Sequence, residues 1–314
     1  MPPSEADSIP AIGIQKKLLK LTRKRLERFV TLMPKILVSD DPEIIHDLRV
    51  WSRRLQQAIR VILPEPKPAK SKKVIRTLRQ VRQTLGPCRN LDVNIALLDE
   101  KRRHSGAAVV RQSWEAVQRD LEERRNSLLE RARDDIAQKD IFAFIGRAKT
   151  LIDAAGKDDW SVAGPLQKLE EATAQAMKTC DEASVLAYEQ RDQPHLHQFR
   201  IAAKRLRYRA ELLSDLGQVE VKPLVEDLKE LQTVLGDWHD RCVLLQYIAE
   251  FIGRPDFLAD HPDMGRVLLA EMEKEKLRND TAIDQLFQKA AKMRQNWAQW
   301  KPAAQNATEN PPPQ

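Results

Sequence analysis

The chain has 314 residues, 42% of them hydrophobic and 32% charged, enough to bury one large core or two of ordinary size. Lys and Arg number 53 against 46 Asp and Glu, a net charge of +7 that favours an anionic partner. This balance excludes a chain disordered throughout, and no apolar run approaches the ~20 residues of a bilayer span, so no membrane partner is expected.

A flexible tail is expected over residues 1–11. A helix follows from about Ile12 to Met33, ended by Pro34, with seven Lys or Arg between Lys16 and Arg28 against one acid, Glu27. Lys16, Lys20 and Arg23 share a face. Asp40 or Asp41 is placed to cap a second helix, with Pro42 in its first turn, running to Pro64. A Pro- and Lys-rich connector covers 64–70. The third helix spans about Ser71 to Leu85, with Lys72, Arg76 and Arg79 on one side and Val74, Leu78, Val81 and Leu85 on the other. From Pro66 to Leu91 there are eight basic residues and no acid. Gly86-Pro87 ends this helix; Asn90 or Asp92 caps the next. A long helix from about Ala107 to Ala137 carries Val110, Trp114, Val117, Leu121 and Leu128 at near-heptad spacing, and a shorter one reaches Ile152.

Residues 153–165 read as a join between an N-terminal half, 12–152, and a C-terminal half, 166–300. From Asp153 to Glu189 there are eight acids and three bases, so positive charge is concentrated elsewhere. The second half is expected to place helices at about Leu166 to Glu189, up to Gly217, at Val221 to Leu235, from Asp237 onward, and near 264–276 and 278–299. A disordered tail is expected over 301–314. No alternating β-branched run appears, and ten glycines with 5% aromatics suit helices. The fold class is therefore all-α.

One stretch returns. His46-Asp47-Leu48-Arg49-Val50-Trp51-Ser52-Arg53-Arg54-Leu55 reappears as His197-Gln198-Phe199-Arg200-Ile201-Ala202-Ala203-Lys204-Arg205-Leu206. Leu85-Gly86 lies 39 residues after His46, and Leu235-Gly236 lies 38 after His197. Matched landmarks point to two versions of one helical unit. At ~100° per residue, His46, Arg49, Arg53 and Arg60 form one stripe, opposite Leu48, Leu55, Ile59 and Ile62. His197, Arg200, Lys204 and Arg207 form the second, opposite Phe199, Leu206, Ala210 and Leu213. Ordinary solvated faces mix both signs through pairs four apart. Here the only acid in the first stretch is Asp47, off the stripe, and there is none from His197 to Arg209, which points to an anion bound there.

The segments His46 to Leu55, Leu85 to Val93, His197 to Tyr208 and Leu231 to Val243 together resemble the CHAD (conserved-histidine α-helical domain) family, with order and spacing agreeing over residues 12–300. The resemblance implies two pseudo-symmetric antiparallel four-helix bundles, facing each other across a basic central pore or groove that binds inorganic polyphosphate. It further implies a cytoplasmic protein on polyphosphate granules, with granule-associated proteins as further partners. The candidate polyphosphate contacts are His46, Arg49, Arg53 and Arg54 with His197, Arg200, Lys204, Arg205 and Arg207. Lys16, Lys20, Arg23, Lys72, Arg76, Arg79 and Lys229 join them from flanking helices. The chain lacks the Glu-x-Glu-x-Lys motif of the CYTH-type triphosphatase domain that some members carry. It departs from internal symmetry where His239-Asp240-Arg241-Cys242 stands opposite Arg89-Asn90-Leu91-Asp92, and Glu226 opposite Arg76; the third helix of the second half should grip less strongly.

Two other readings are weaker. A metal-dependent phosphohydrolase would draw on His46-Asp47, His239-Asp240, His195 and His197, with Asp256 or Asp260, but the ligand spacing is poor. A nucleic-acid binder would want aromatic rings among its cations, and only Trp51 and Tyr208 lie near. No cofactor, catalytic residue or metal ligand is assigned, since phosphate loops, nucleophile elbows and clustered cysteines are missing. Cys88, Cys180 and Cys242 are odd in number and outside CxxC spacing, and the N-terminus lacks signal-peptide form, in keeping with a reducing compartment. Asn306-Ala307-Thr308 is a sequon by chance.

Overall fold

The amphipathic periods fold into helices that bury their apolar sides against one another. The computed structural model describes residues 11–63, 69–157 and 164–297, and these contain α-helices with no strand. The expected tails (described only from 11 and up to 297), the connector at 64–68 and most of the join at 158–163 lie outside the described residues. In order the helices are α1 (Ala11–Ile36), α2 (Pro42–Ile62), α3 (Ala69–Thr84), α4 (Gly86–His104), α5 (Ala108–Ala137), α6 (Ile141–Ala155), α7 (Pro165–Gln190), α8 (Gln193–Leu216), α9 (Lys222–Ile252), α10 (Pro255–Asp260) and α11 (Pro262–Trp297). α1 packs on α2, α4 on α5, α7 on α8, and α9 on both α8 and α11.

Local chemistry sets most of the ends. Asp41 and Asp140 accept from Glu43 N at 2.9 Å and Ala143 N at 2.8 Å, capping α2 and α6. Asp192 accepts from His195 N at 2.9 Å and caps α8. Gly217, at φ 104°, closes α8 in the left-handed conformation that glycine adopts freely. Arg133 of α5 donates to the Ile36 carbonyl at 3.0 Å and to Asp40 at 2.7 Å, satisfying the end of α1.

Several expected boundaries move. Pro34 lies inside α1, in its last turn, where it costs one bond, to the Val30 carbonyl, and the helix ends two residues later. α4 starts at Gly86 rather than at an Asn90 or Asp92 cap; Asp92 is buried and accepts from Arg125 Nε at 2.9 Å. The helices expected on either side of Leu235-Gly236 are one helix, α9, because Asp237 keeps the N–H that Pro87 lacks. Those expected at 264–276 and 278–299 are also one, α11. The polar residues Glu275 and Asn279, buried at 1% and 5% exposure, interrupt the apolar period there without breaking the helix.

The apolar side chains form two cores. The larger draws on α1, α2, α3, Cys88 of α4, the last part of α5, α6, α7, α8, the first part of α9 and the end of α11. The smaller joins Leu91 and Leu98 of α4, Trp114, Val117 and Leu121 of α5, Leu244, Ile248, Phe251 and Ile252 of α9, and Leu268 of α11. Leu48, Leu55, Ile59 and Ile62 of α2, and Phe199, Leu206, Ala210 and Leu213 of α8, are all buried in the larger core. Their burial turns the opposite, cationic side of each helix out of the core.

Candidate anion-binding site

On α2 the Arg49 guanidinium donates to the carbonyl of Arg82, at the end of α3. The break before Pro87 leaves that carbonyl without an N–H from α4, and a cation there also meets the negative end of the helix dipole. Gly86 eases the approach, because a Cβ at that position would lie 3.3 Å from Arg49 Nη1, close enough to push the guanidinium back slightly. Arg82 in turn donates to Gln56 Oε1 and, at 3.4 Å, to Ser52 Oγ. Burial, then Arg53 and Arg89, push the Arg49 guanidinium down to about 10. Burial, then Arg53, Arg49 and Arg60, do the same to Arg82.

The second motif joins this cluster from α8. Arg53 is among the charges that lower both Arg200 and Lys204, after burial. Lys204 is pushed down to about 7 by burial, then Arg200 and Arg53. The His197 and His239 rings stand 5.6 Å apart. His239 is lowered to about 4 by burial and then by Arg200, His197 and Lys204. His197 is lowered by burial, Arg200 and Lys204, and His46 by burial and Arg89. Tyr208 lies near enough to act on Arg49, Arg82 and Arg200. The carboxylate facing Arg200, Lys204 and Arg89 is Asp240, whose own pKa burial raises.

The two motif helices are not equally anchored. The residue at the place of Arg82 is Gln232, which donates to the Ala203 carbonyl at 3.0 Å. With α9 unbroken there is no released carbonyl for Arg200, and its buried Nε has no hydrogen-bond partner among the described residues. Behind the site, Arg25 of α1 donates to Asp215 at 2.6 Å and to the Arg54 carbonyl at 2.9 Å, clasping α1, α2 and α8. Arg54 sits over Trp51 at 5.2 Å and pairs with Glu211 at 3.6 Å. Arg207 sits over Tyr208 at 5.2 Å and reaches the same Glu211 at 3.4 Å.

Of the residues expected from sequence, the cluster brings together His46, Arg49, Arg53, His197, Arg200 and Lys204. Arg54 and Arg207 flank it, held by Glu211, and Arg205 acts on Arg60. Lys16, Lys20, Arg23, Lys72, Arg76, Arg79 and Lys229 are exposed. Arg23 is paired with Asp153 at 3.1 Å and Lys229 with Glu226 at 2.8 Å. Arg82, Arg89, His239 and Asp240 belong to the cluster without having been placed in it. The signal for Arg82 was its position one turn before Gly86; for Arg89 and His239 it was their shared place three residues after each Leu-Gly. No three His, Cys, Asp or Glu side chains group as metal ligands among the described residues. His195 is instead held by Asp192 at 2.6 Å. No described helix is long and apolar enough to cross a membrane.

These features define an all-α protein whose two motif helices, α2 and α8, converge in one half-buried cluster of cations. The CHAD domain model matches residues 20–249, and the chain belongs to the CHAD family. The chain is similar in fold to the CHAD domain from the plant Ricinus communis, with 18% identity and a TM-score of 0.63 over 87% of this chain and 91% of that one. It is also similar to PptA from Streptomyces chartreusis, with 17% identity and a TM-score of 0.60 over 87% of this chain and 99% of that one. No curated protein sequence matches it.

Proposed function

We propose that this protein binds inorganic polyphosphate in the cluster between α2 and α8, as the two faces of a duplicated unit lining one groove, and associates with polyphosphate granules through it. The observation that carries the reading is the convergence of Arg49, Arg82, Arg200 and Lys204 around Arg53, each of the four held below its ordinary pKa by burial and in part by Arg53. Cations are held together, partly out of water, at a cost that a chain of phosphates relieves. A phosphate string offers no base to stack and no edge to read. Arginine forks matched to phosphate oxygens, with a lysine as compact charge, are what it requires. The rings nearby favour this ligand over nucleic acid: Trp51 is half-buried against the core under Arg54, and Tyr208 is buried under Arg207. The role is binding, with no reaction assigned.

Because Arg49 also holds the end of α3, the test reverses charge at Arg53 and Arg200. Arg53→Glu with Arg200→Glu is expected to lower polyphosphate affinity at least a hundredfold in calorimetry, with helicity unchanged by circular dichroism. Wild-type affinity is expected to fall by roughly 0.7 log units per log unit of salt for each neutralised phosphate, by analogy with single-stranded nucleic acid. Binding retained by the double variant, or lost to competing single-stranded RNA at physiological salt, overturns the reading.

A further inference from the structure

A cavity of about 410 Å³ opens between α2, α3, α7 and α8. Its lining includes Arg60, Lys168 and Arg209 above an apolar wall with Val61, Ile75 and Leu169, and no carboxylate side chain among the described residues. Arg209 donates to the Ala172 carbonyl and is fixed in the wall. Arg60 is exposed, with no ion-pair partner among the described residues. Nearby, Glu211 is engaged by Arg54 and Arg207.

The cavity is continuous in charge with the cluster. Gln57 lines it, and its neighbour Gln56 accepts from Arg82, which belongs to the cluster. Arg60 is among the charges acting on Arg82, Arg205 acts on Arg60, and both act on Arg209. Cations therefore follow one another from Arg53 through Arg82 and Arg60 to Arg209, without a carboxylate salt bridge to Arg82, Arg60 or Arg209 among the described residues.

We infer that this cavity is a second phosphate subsite, which holds the part of a long polyphosphate chain that runs past the cluster between the two His motifs. This inference rests on the polyphosphate reading above. A flexible anion that has filled the cluster meets further unmatched arginines along this line. Lys168 supplies a third cation from α7, a helix otherwise poor in them. The subsite makes affinity depend on chain length: a short oligomer fills the cluster alone, and a longer one reaches both.

The test is a titration with a ladder of polyphosphates, from tripolyphosphate to long chains, on the full chain. Arg60→Gln with Arg209→Gln is expected to leave tripolyphosphate binding within about twofold of wild type. Long-chain affinity should weaken about tenfold or more, since charge-assisted contacts to phosphate are lost. Lys168→Gln, an exposed change that leaves the fold alone, is expected to act in the same direction and less strongly. The inference is overturned if long chains bind the double variant as well as wild type, or if short and long chains weaken equally. Should wild type bind no chain of any length, the polyphosphate reading itself falls, an outcome separate from either of those.

Discussion

Arg49 and Arg200 stand at the same place in the two motifs, yet their surroundings differ. Arg49 caps the end of α3 through the Arg82 carbonyl, whereas the buried Nε of Arg200 meets no acceptor among the described residues. Arg49→Ala is therefore expected to cost about 1–2 kcal/mol in denaturant unfolding. Arg200→Ala should be near neutral for the free protein, while weakening polyphosphate binding at least as much. Equal stability losses for both would contradict the asymmetry. Lys204 gives a second prediction at this scale. It faces Arg200 and Arg207 of α8, Arg53 of α2, and Asp240 and His239 of α9. Burial and these cations bring it to about 7 in the folded, free protein. An unfolded lysine keeps its proton to about 10.4, so between those values the unfolded state binds more protons. Stability of the free protein contributed here rises with pH across that window. A bound polyanion favours the charged ammonium and reverses the trend. Polyphosphate affinity should fall as pH rises from 7 to 9, and Lys204→Met should flatten that profile, both read by calorimetry.

At the level of elements, the 3.6-residue period located the buried sides of α2 and α8 correctly, residue by residue, because large apolar side chains dominate those faces. Boundaries were less legible where polar groups are buried. Glu275 is held by Lys101 and Arg278, whose hydrogen bonds outweigh burial and keep its pKa low. In sequence, the same glutamate resembles a solvated loop. The two Leu-Gly landmarks likewise look alike on paper, but only the first is followed by proline. α9 therefore runs straight through Leu235-Gly236, and the α3–α4 path is interrupted at Leu85. Amide hydrogen exchange is expected to be slower across 235–240 than across 85–89, since an unbroken ladder must open as a larger unit. Faster exchange in α9 would contradict this.

For the molecule as a whole, membership of the CHAD family was readable from four short segments, and the all-α class from helical periods without alternating β-branched runs. The composition of the site was readable only in part. Whether Arg79 or Arg82 turns toward α2 depends on how α3 is rotated, and the burial of Val74, Leu78 and Val81 fixes that rotation in three dimensions. Arg25 was one cation in a run of seven; its burial follows from Asp215, which is 190 residues away.

The break at Leu85 also bears on how the molecule yields. α9 contributes to both cores as one stiff strut, from Leu224 to Ile252. The companion route from α3 to α4 crosses its break on two backbone bonds, Leu85 N to Val81 O and Arg89 N to Leu85 O, each 3.1 Å. α5 also runs unbroken between the two cores and braces α4, so any pivot of the smaller core is expected at the Leu85 break, between α3 and α4, and not within α9. The guanidinium of Arg49 is wedged at that pivot, against Gly86. Any swing of the α4 side is expected to move a cation of the cluster with it, and any anion that draws Arg49 forward to tug on the pivot in return.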